Sequence, residues 1–155
     1  MSILIAAGLL LAVPAYAPAP DADADAVAEP HRIRIDHRGQ RVEVTYRSAV
    51  SVAHRQVGAA GAPGRPAALH CRWRASVDVH REARHAAGHM MTRTISSAAP
   101  ITGSRPGWCA TQRAAIARDV AARSGTVRDH LLAAAARDGD ALVAELDTLH
   151  DAGRS

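Results

Sequence analysis

The chain has 155 residues, of which 48% are hydrophobic, a formal net charge of +4 and two cysteines, which suits one domain around one core and excludes a cysteine-dense scaffold. All 19 basic residues are arginine, and lysine, asparagine and phenylalanine are absent. Arginine abundance alone therefore reads as a coding bias, and only its placement along the chain bears on function.

Residues Met1 to Val13 form an apolar run (Ile3, Leu4, Ile5, Leu9, Leu10, Leu11) followed by small residues, the pattern of a secretory signal over positions 1–17. The stretch from Ile3 to Val13 would rise only about 16 Å as a helix, against a hydrocarbon core of roughly 30 Å, so it predicts no membrane span in the mature form. Its n-region lacks the usual positive side chain, since no arginine precedes Arg32. Cutting after Ala15 avoids placing Pro18 next to the scissile bond. Positions 18–30 make a Pro, Ala and Asp linker with four acids (Asp21, Asp23, Asp25, Glu29) and no base. Such a composition cannot bury apolar surface and predicts a disordered leader, one whose charge could let it fold back on a basic surface.

A single α+β domain is expected over 31–152. It opens with a hairpin in which Ile33 and Ile35 alternate with Arg32, Arg34 and Asp36, and Val42, Val44 and Tyr46 alternate with Arg41, Glu43, Thr45 and Arg47. A turn at Arg38-Gly39 sets Ile35 against Val42, Ile33 against Val44, Arg34 against Glu43 and Asp36 against Arg41. Like then meets like on one face and opposite charges meet on the other, which cross-strand energetics favour. The second strand is expected to end near Ala53, and the Gly- and Pro-rich stretch from Gly58 to Pro66 makes a loop. A central strand follows with Cys71, Trp73, Ala75, Val77 and Val79 inward and Arg72, Arg74, Ser76, Asp78 and His80 outward. A turn near Ala86 to Gly88 leads to a weaker strand from about His89 to Ser96, and Pro100 to Cys109 reads as irregular.

Beyond Cys109 the period changes to that of helices. Ile116 and Val120 mark one helix ending at Gly125, Thr126 with Asp129 gives a capping signature for a second, and Asp138-Gly139-Asp140 separates that from a third bearing Leu142, Val143, Leu146 and Leu149. The resulting expectation is an antiparallel sheet of about four strands, in two hairpins, with two to three C-terminal helices packed on one face. One disulfide, Cys71 to Cys109, would clamp the sheet to the helices and stabilise the fold by roughly 4 kcal/mol. Neither cysteine belongs to a Cys-x-x-Cys motif, and neither reads as catalytic.

Charge supplies the first functional pointer. Between His31 and Arg113 there are 14 arginines against four acids, a local balance of +10, whereas Ala114 to Ser155 carries five arginines against seven acids. The outward strand positions Arg32, Arg34, Arg41, Arg47, Arg72 and Arg74 would line one wet sheet face with guanidiniums suited to phosphate or carboxylate. An exported setting points to an anionic envelope component or a protein partner, and argues against nucleic acid. The reading is a periplasmic or secreted binding protein that needs no cofactor. An alternative is a periplasmic copper or zinc binder using His80, His85, His89, Met90 and Met91, whose imidazoles and thioethers suit those metals but whose spacing matches no compact tetrahedral motif. A third is a small hydrolase, for which Ser96, Ser97 and Ser104 are available but no catalytic motif surrounds them.

Overall fold

The computed structural model describes residues 28–59, 61, 68–85 and 88–153. The expected signal segment, most of the acidic linker and much of the Gly- and Pro-rich loop lie outside the described residues. Four strands, β1 (His31–His37), β2 (Gln40–Val57), β3 (His70–His85) and β4 (Met90–Pro106), form one antiparallel sheet in the order β1-β2-β3-β4. Two helices follow, α1 (Cys109–Ala121) and α2 (Ser124–Ala152).

The first hairpin has the expected register, with Ile33 opposite Val44, Ile35 opposite Val42, Arg34 opposite Glu43 and Asp36 opposite Arg41. Its two-residue turn places Arg38 at φ 50° and Gly39 at φ 77°. Positive φ at both positions matches the twist of the strands it joins. β2 runs beyond Ala53 to Val57 because β3 supplies a partner from Val42, opposite His85, to Val57, opposite His70. β3 likewise continues past His80, which keeps the alternation going and turns Arg81 and Ala83 to the inner face.

β4 corrects the expectation of a strand ending near Ser96 and an irregular segment from Pro100 to Cys109: pairing with β3 continues to Pro106. The ladder passes Pro100, which lacks an N–H, by a register shift between the pairs Ala75–Ile101 and Val77–Ala98, and a second shift follows between Val79 and His80. Prolines are tolerated at such shifts and on edge strands, and β4 is an edge.

The inner face carries two apolar clusters, each closed by helix. At one end Val42, Val44, Tyr46, Val79 and Ala83 pack under Leu131, Ala134, Leu142 and Leu146 of α2. At the other, Val50, Cys71, Trp73, Ala75, Val77 and Ile101 meet Ile116 and Val120 of α1 and Val127 of α2. The described residues form two helices, within the two to three expected, and their boundaries differ from the sequence reading. α1 ends at Ala121, and α2 starts at Ser124 with no side-chain cap, so the Thr126 and Asp129 signature is not used. α2 also runs unbroken through Asp138-Gly139-Asp140. A glycine inside a helix costs about 1 kcal/mol, which the stripe Val127, Leu131, Ala134, Leu142 and Leu146, docked on the sheet, outweighs.

The expected clamp is present. Cys71 and Cys109 are bonded, with their Cα atoms 4.8 Å apart, and tie the start of β3 to the first residue of α1. Gln56 secures the same joint: its Oε1 accepts from the Cys109 N–H at 2.8 Å, while its Nε2 donates to the carbonyls of His70 and Gly107.

Gly103 has a packing role that composition does not reveal. A Cβ there would sit 2.4 Å from the ring of the buried Trp73, over which the Arg123 guanidinium lies at 5.5 Å. Gly103→Ala should destabilise by about 1–3 kcal/mol through overpacking. Urea denaturation followed by tryptophan emission checks it, and an unchanged midpoint would mean that the ring yields freely.

Candidate anion-binding face

The alternation that sends the apolar set under the helices sends the arginines to the other side of the sheet. Arg32, Arg34, Arg41, Arg47, Arg72 and Arg74 are all exposed there. Arg55 and Arg84 join them, beyond the strand ends expected from sequence. The six expected residues do not form one site. Arg32, Arg34 and Arg47 come together with Arg84, Glu43 and Glu82 around a concavity of about 660 Å³. Arg41 lies opposite Asp36 near the first turn, and Arg72 and Arg74 occupy the far end of β3.

Two carboxylates already engage arginines in the concavity. Arg34 Nε is 3.4 Å from Glu43, and Arg84 donates to Glu82 at 2.9 Å. Both pairs are wet and contribute little to stability. Arg32 and Arg47 have no ion pair among the described residues. Their planar forks are the groups best placed to grip an incoming phosphate or carboxylate.

The histidine and methionine set is not gathered. His80 is on the outer face, where its Nδ1 meets Thr94 Oγ1 at 3.0 Å, while His85 falls on the inner side at the end of β3. His89 is exposed beside the turn, and Met90 is exposed whereas Met91 packs against the core. Among the described residues no group of three or more His, Cys, Asp or Glu could hold a metal ion. Of the serines, Ser96 Oγ lies 3.2 Å from His130 Nε2, between β4 and α2. No carboxylate hydrogen-bonds that imidazole among the described residues, so the pair lacks the third group that would orient a base.

The most concentrated polar chemistry is on the inner side, and sequence reading passed over it. Arg81 is fully buried, donates from Nη1 to both Asp138 oxygens at 2.9 and 3.1 Å, and donates from Nη2 to Glu145. The other Glu145 oxygen accepts from Arg93, and the Tyr46 hydroxyl donates to Asp138 at 3.2 Å. Arg81 sits directly between Tyr46 on β2 and Arg93 on β4, so three strands converge on two carboxylates of one helix. The signal was available: position 81 continues the inward series of Cys71 to Val79, and Asp138 falls on the buried stripe of α2.

Burial and the Asp138 carboxylate beside it push the Tyr46 hydroxyl up to about 12. Burial alone would raise Glu145, but hydrogen bonds and charge from Arg93 and Arg81 outweigh it and hold that carboxyl below the usual range. Two further sheet-to-helix ties behave alike. Hydrogen bonds from Arg105, at 2.7 and 2.8 Å, hold Asp119 of α1 low, and hydrogen bonding by His37, with Arg38 nearby, does so for Asp147 of α2.

Depressed carboxyls stabilise the fold above their ordinary values, near pH 4, and that contribution is lost as pH falls through their lower folded values. The raised tyrosine works in the opposite sense: its contribution is complete below about pH 10 and is lost as pH rises through about 12. The melting temperature should therefore be flat at neutral pH and fall on both sides, with the acid limb blunted in Asp119→Asn. A wild-type acid limb that Asp119→Asn and Glu145→Gln leave unmoved would show that these ties do not control it.

In comparison with protein-family models, curated proteins and solved structures, the chain has no match. Its class is set by its own geometry: a two-layer α+β protein, disulfide-clamped, with helices on one sheet face and arginines on the other. No helix among the described residues is long and apolar enough to cross a membrane.

Proposed function

We propose that this protein is an exported, non-enzymatic binding protein whose outer sheet face holds an anionic partner in the periplasm or outside the cell. The observation that carries the reading is the concavity ringed by Arg32, Arg34, Arg47 and Arg84, four guanidiniums against two carboxylates. A disulfide between the two secondary-structure layers fits an oxidising compartment, as does the apolar leader. Attraction between exposed charges is screened within roughly 10 Å at ordinary ionic strength. Retention on an anionic matrix should accordingly be strong in dilute buffer and lost on adding salt. The test compares the native protein with Arg32→Gln/Arg47→Gln, two exposed residues that make no ion pair among the described residues and whose loss leaves the core intact. Weaker retention of the variant supports the assignment, and absence of retention by the native protein at low ionic strength overturns it.

A further inference from the structure

The outer face holds a second basic cluster, at the disulfide end of the sheet. Arg55 of β2 lies directly opposite Arg72 of β3, and Arg74 follows two residues later on the same face. Like charges placed opposite one another across a ladder are destabilising. No carboxylate stands among their cross-strand neighbours, which are Ala53, Ser104 and Thr102, and none of the three arginines has an ion pair among the described residues. A surface that keeps three guanidiniums together without a counter-charge is complementary to an anion supplied from outside.

The two clusters lie on one track. From Arg47 at the concavity to Arg55 is eight residues along β2, or about 27 Å at strand rise. The intervening outward residues of β2 are Ala49, Ser51 and Ala53, and Ser76 of β3 lies opposite Ser51, so little stands above the backbone between the clusters. Among the described residues, Asp78, half-buried opposite Ala49, is the one carboxylate along the way. A single phosphate or carboxylate cannot reach both ends. A flat lipid surface would meet the exposed arginines of both clusters as separate headgroups, whereas a chain can follow the track and also settle into the concavity. Among the described residues no tyrosine or tryptophan projects from the outer sheet face, since Tyr46 and Trp73 are buried on the inner side, and the exposed Trp108 lies beyond β4 at the start of α1, so the track between the clusters lacks the row of stacking platforms that single-stranded nucleic acids use.

We infer that the ligand is a linear polyanion without bases, repeating phosphate or carboxylate groups along a flexible backbone, which lies along β2 and β3 and engages both arginine clusters at once. The inference rests on the proposed anion-binding face and adds to it the ligand's length and form. Joining two sites through one chain raises affinity by a factor on the order of a hundred or more over either alone.

The experiment measures dissociation constants by calorimetry for triphosphate, long-chain polyphosphate, alginate and single-stranded DNA, using the native protein and Arg55→Gln/Arg72→Gln/Arg74→Gln. Circular dichroism confirms that the variant is folded. Long-chain polyphosphate or alginate should bind about a hundredfold more tightly than triphosphate, and whichever is preferred identifies phosphate or carboxylate as the recognised group. The triple variant should lose that advantage while keeping its triphosphate affinity, and its salt dependence should fall by about two to three counterions. Equal affinity per site for short and long chains would overturn the spanning ligand and leave the basic face standing. Tighter binding of DNA, or retention by anionic vesicles without binding of soluble polymer, would overturn it in favour of those partners. No binding of any anion would remove both readings together.

Discussion

Asp138→Ala should cost about 3–5 kcal/mol, among the largest single-residue losses this fold can suffer. The reason lies in what is left behind. Arg81 has no solvent exposure, and its Nη1 spends both of its contacts on Asp138. Removing the carboxylate strands half of a buried guanidinium, and the Tyr46 hydroxyl loses its acceptor too. Glu145 would remain, but it is shared with Arg93. Its single charge then faces two guanidiniums that already oppose each other across β3 and β4. The complementary variant is Arg81→Met combined with Asp138→Leu. Filling the same space with apolar groups should recover most of the loss, because the pair's attraction largely offsets its own desolvation and adds little net stability. Urea denaturation of the three proteins measures both effects. A loss below about 1 kcal/mol for Asp138→Ala would show that water reaches Arg81 and that the network is not sealed.

This buried network also marks where sequence reading stopped. The first hairpin was legible to the individual pair, because alternating apolar and charged residues with a two-residue turn allow one register. The disulfide was legible because there were only two cysteines to join. The joined helix was not. Asp138-Gly139-Asp140 has the local chemistry of a break, and the partner that overrides it, Arg81, is 57 residues away. The extension of β4 through Pro100 was hidden for a related reason, since a register shift is a property of two strands and not of one. At the outer face, sequence identified six exposed arginines but could not sort them. Arg55 and Arg84, which complete the two clusters, became visible only when β2 and β3 were paired to their full lengths.

The second large effect belongs to the disulfide. Cys71→Ala/Cys109→Ala should lower stability by about 4 kcal/mol, as expected for releasing a loop of 38 residues in the unfolded chain. That is a substantial share of the roughly 5–15 kcal/mol typical of a domain. The loss should not be confined to the unfolded state. Cys71 is buried in the cluster that receives Ile116 and Val120, and Cys109 is the first residue of α1, so the bond also fixes where that helix lands. Gln56 and the Arg105–Asp119 pair hold the same helix without covalent help. The variant should therefore retain α1 in place near neutral pH and lose it first on acidification, when Asp119 takes up its proton. Hydrogen exchange along α1 at neutral and acidic pH separates the two contributions, and Trp108, at the N-terminus of α1 and 54% exposed, gives an optical signal beside the joint. Denaturation midpoints that agree with and without the bond would show that these noncovalent ties suffice. Because Arg55 of β2 and Arg72 and Arg74 of β3 lie on the opposite face at the disulfide end, whereas the concavity is built from β1 and the other end of β2 and β3, loosening this joint should disturb the cluster of Arg55, Arg72 and Arg74 before it reaches the concavity.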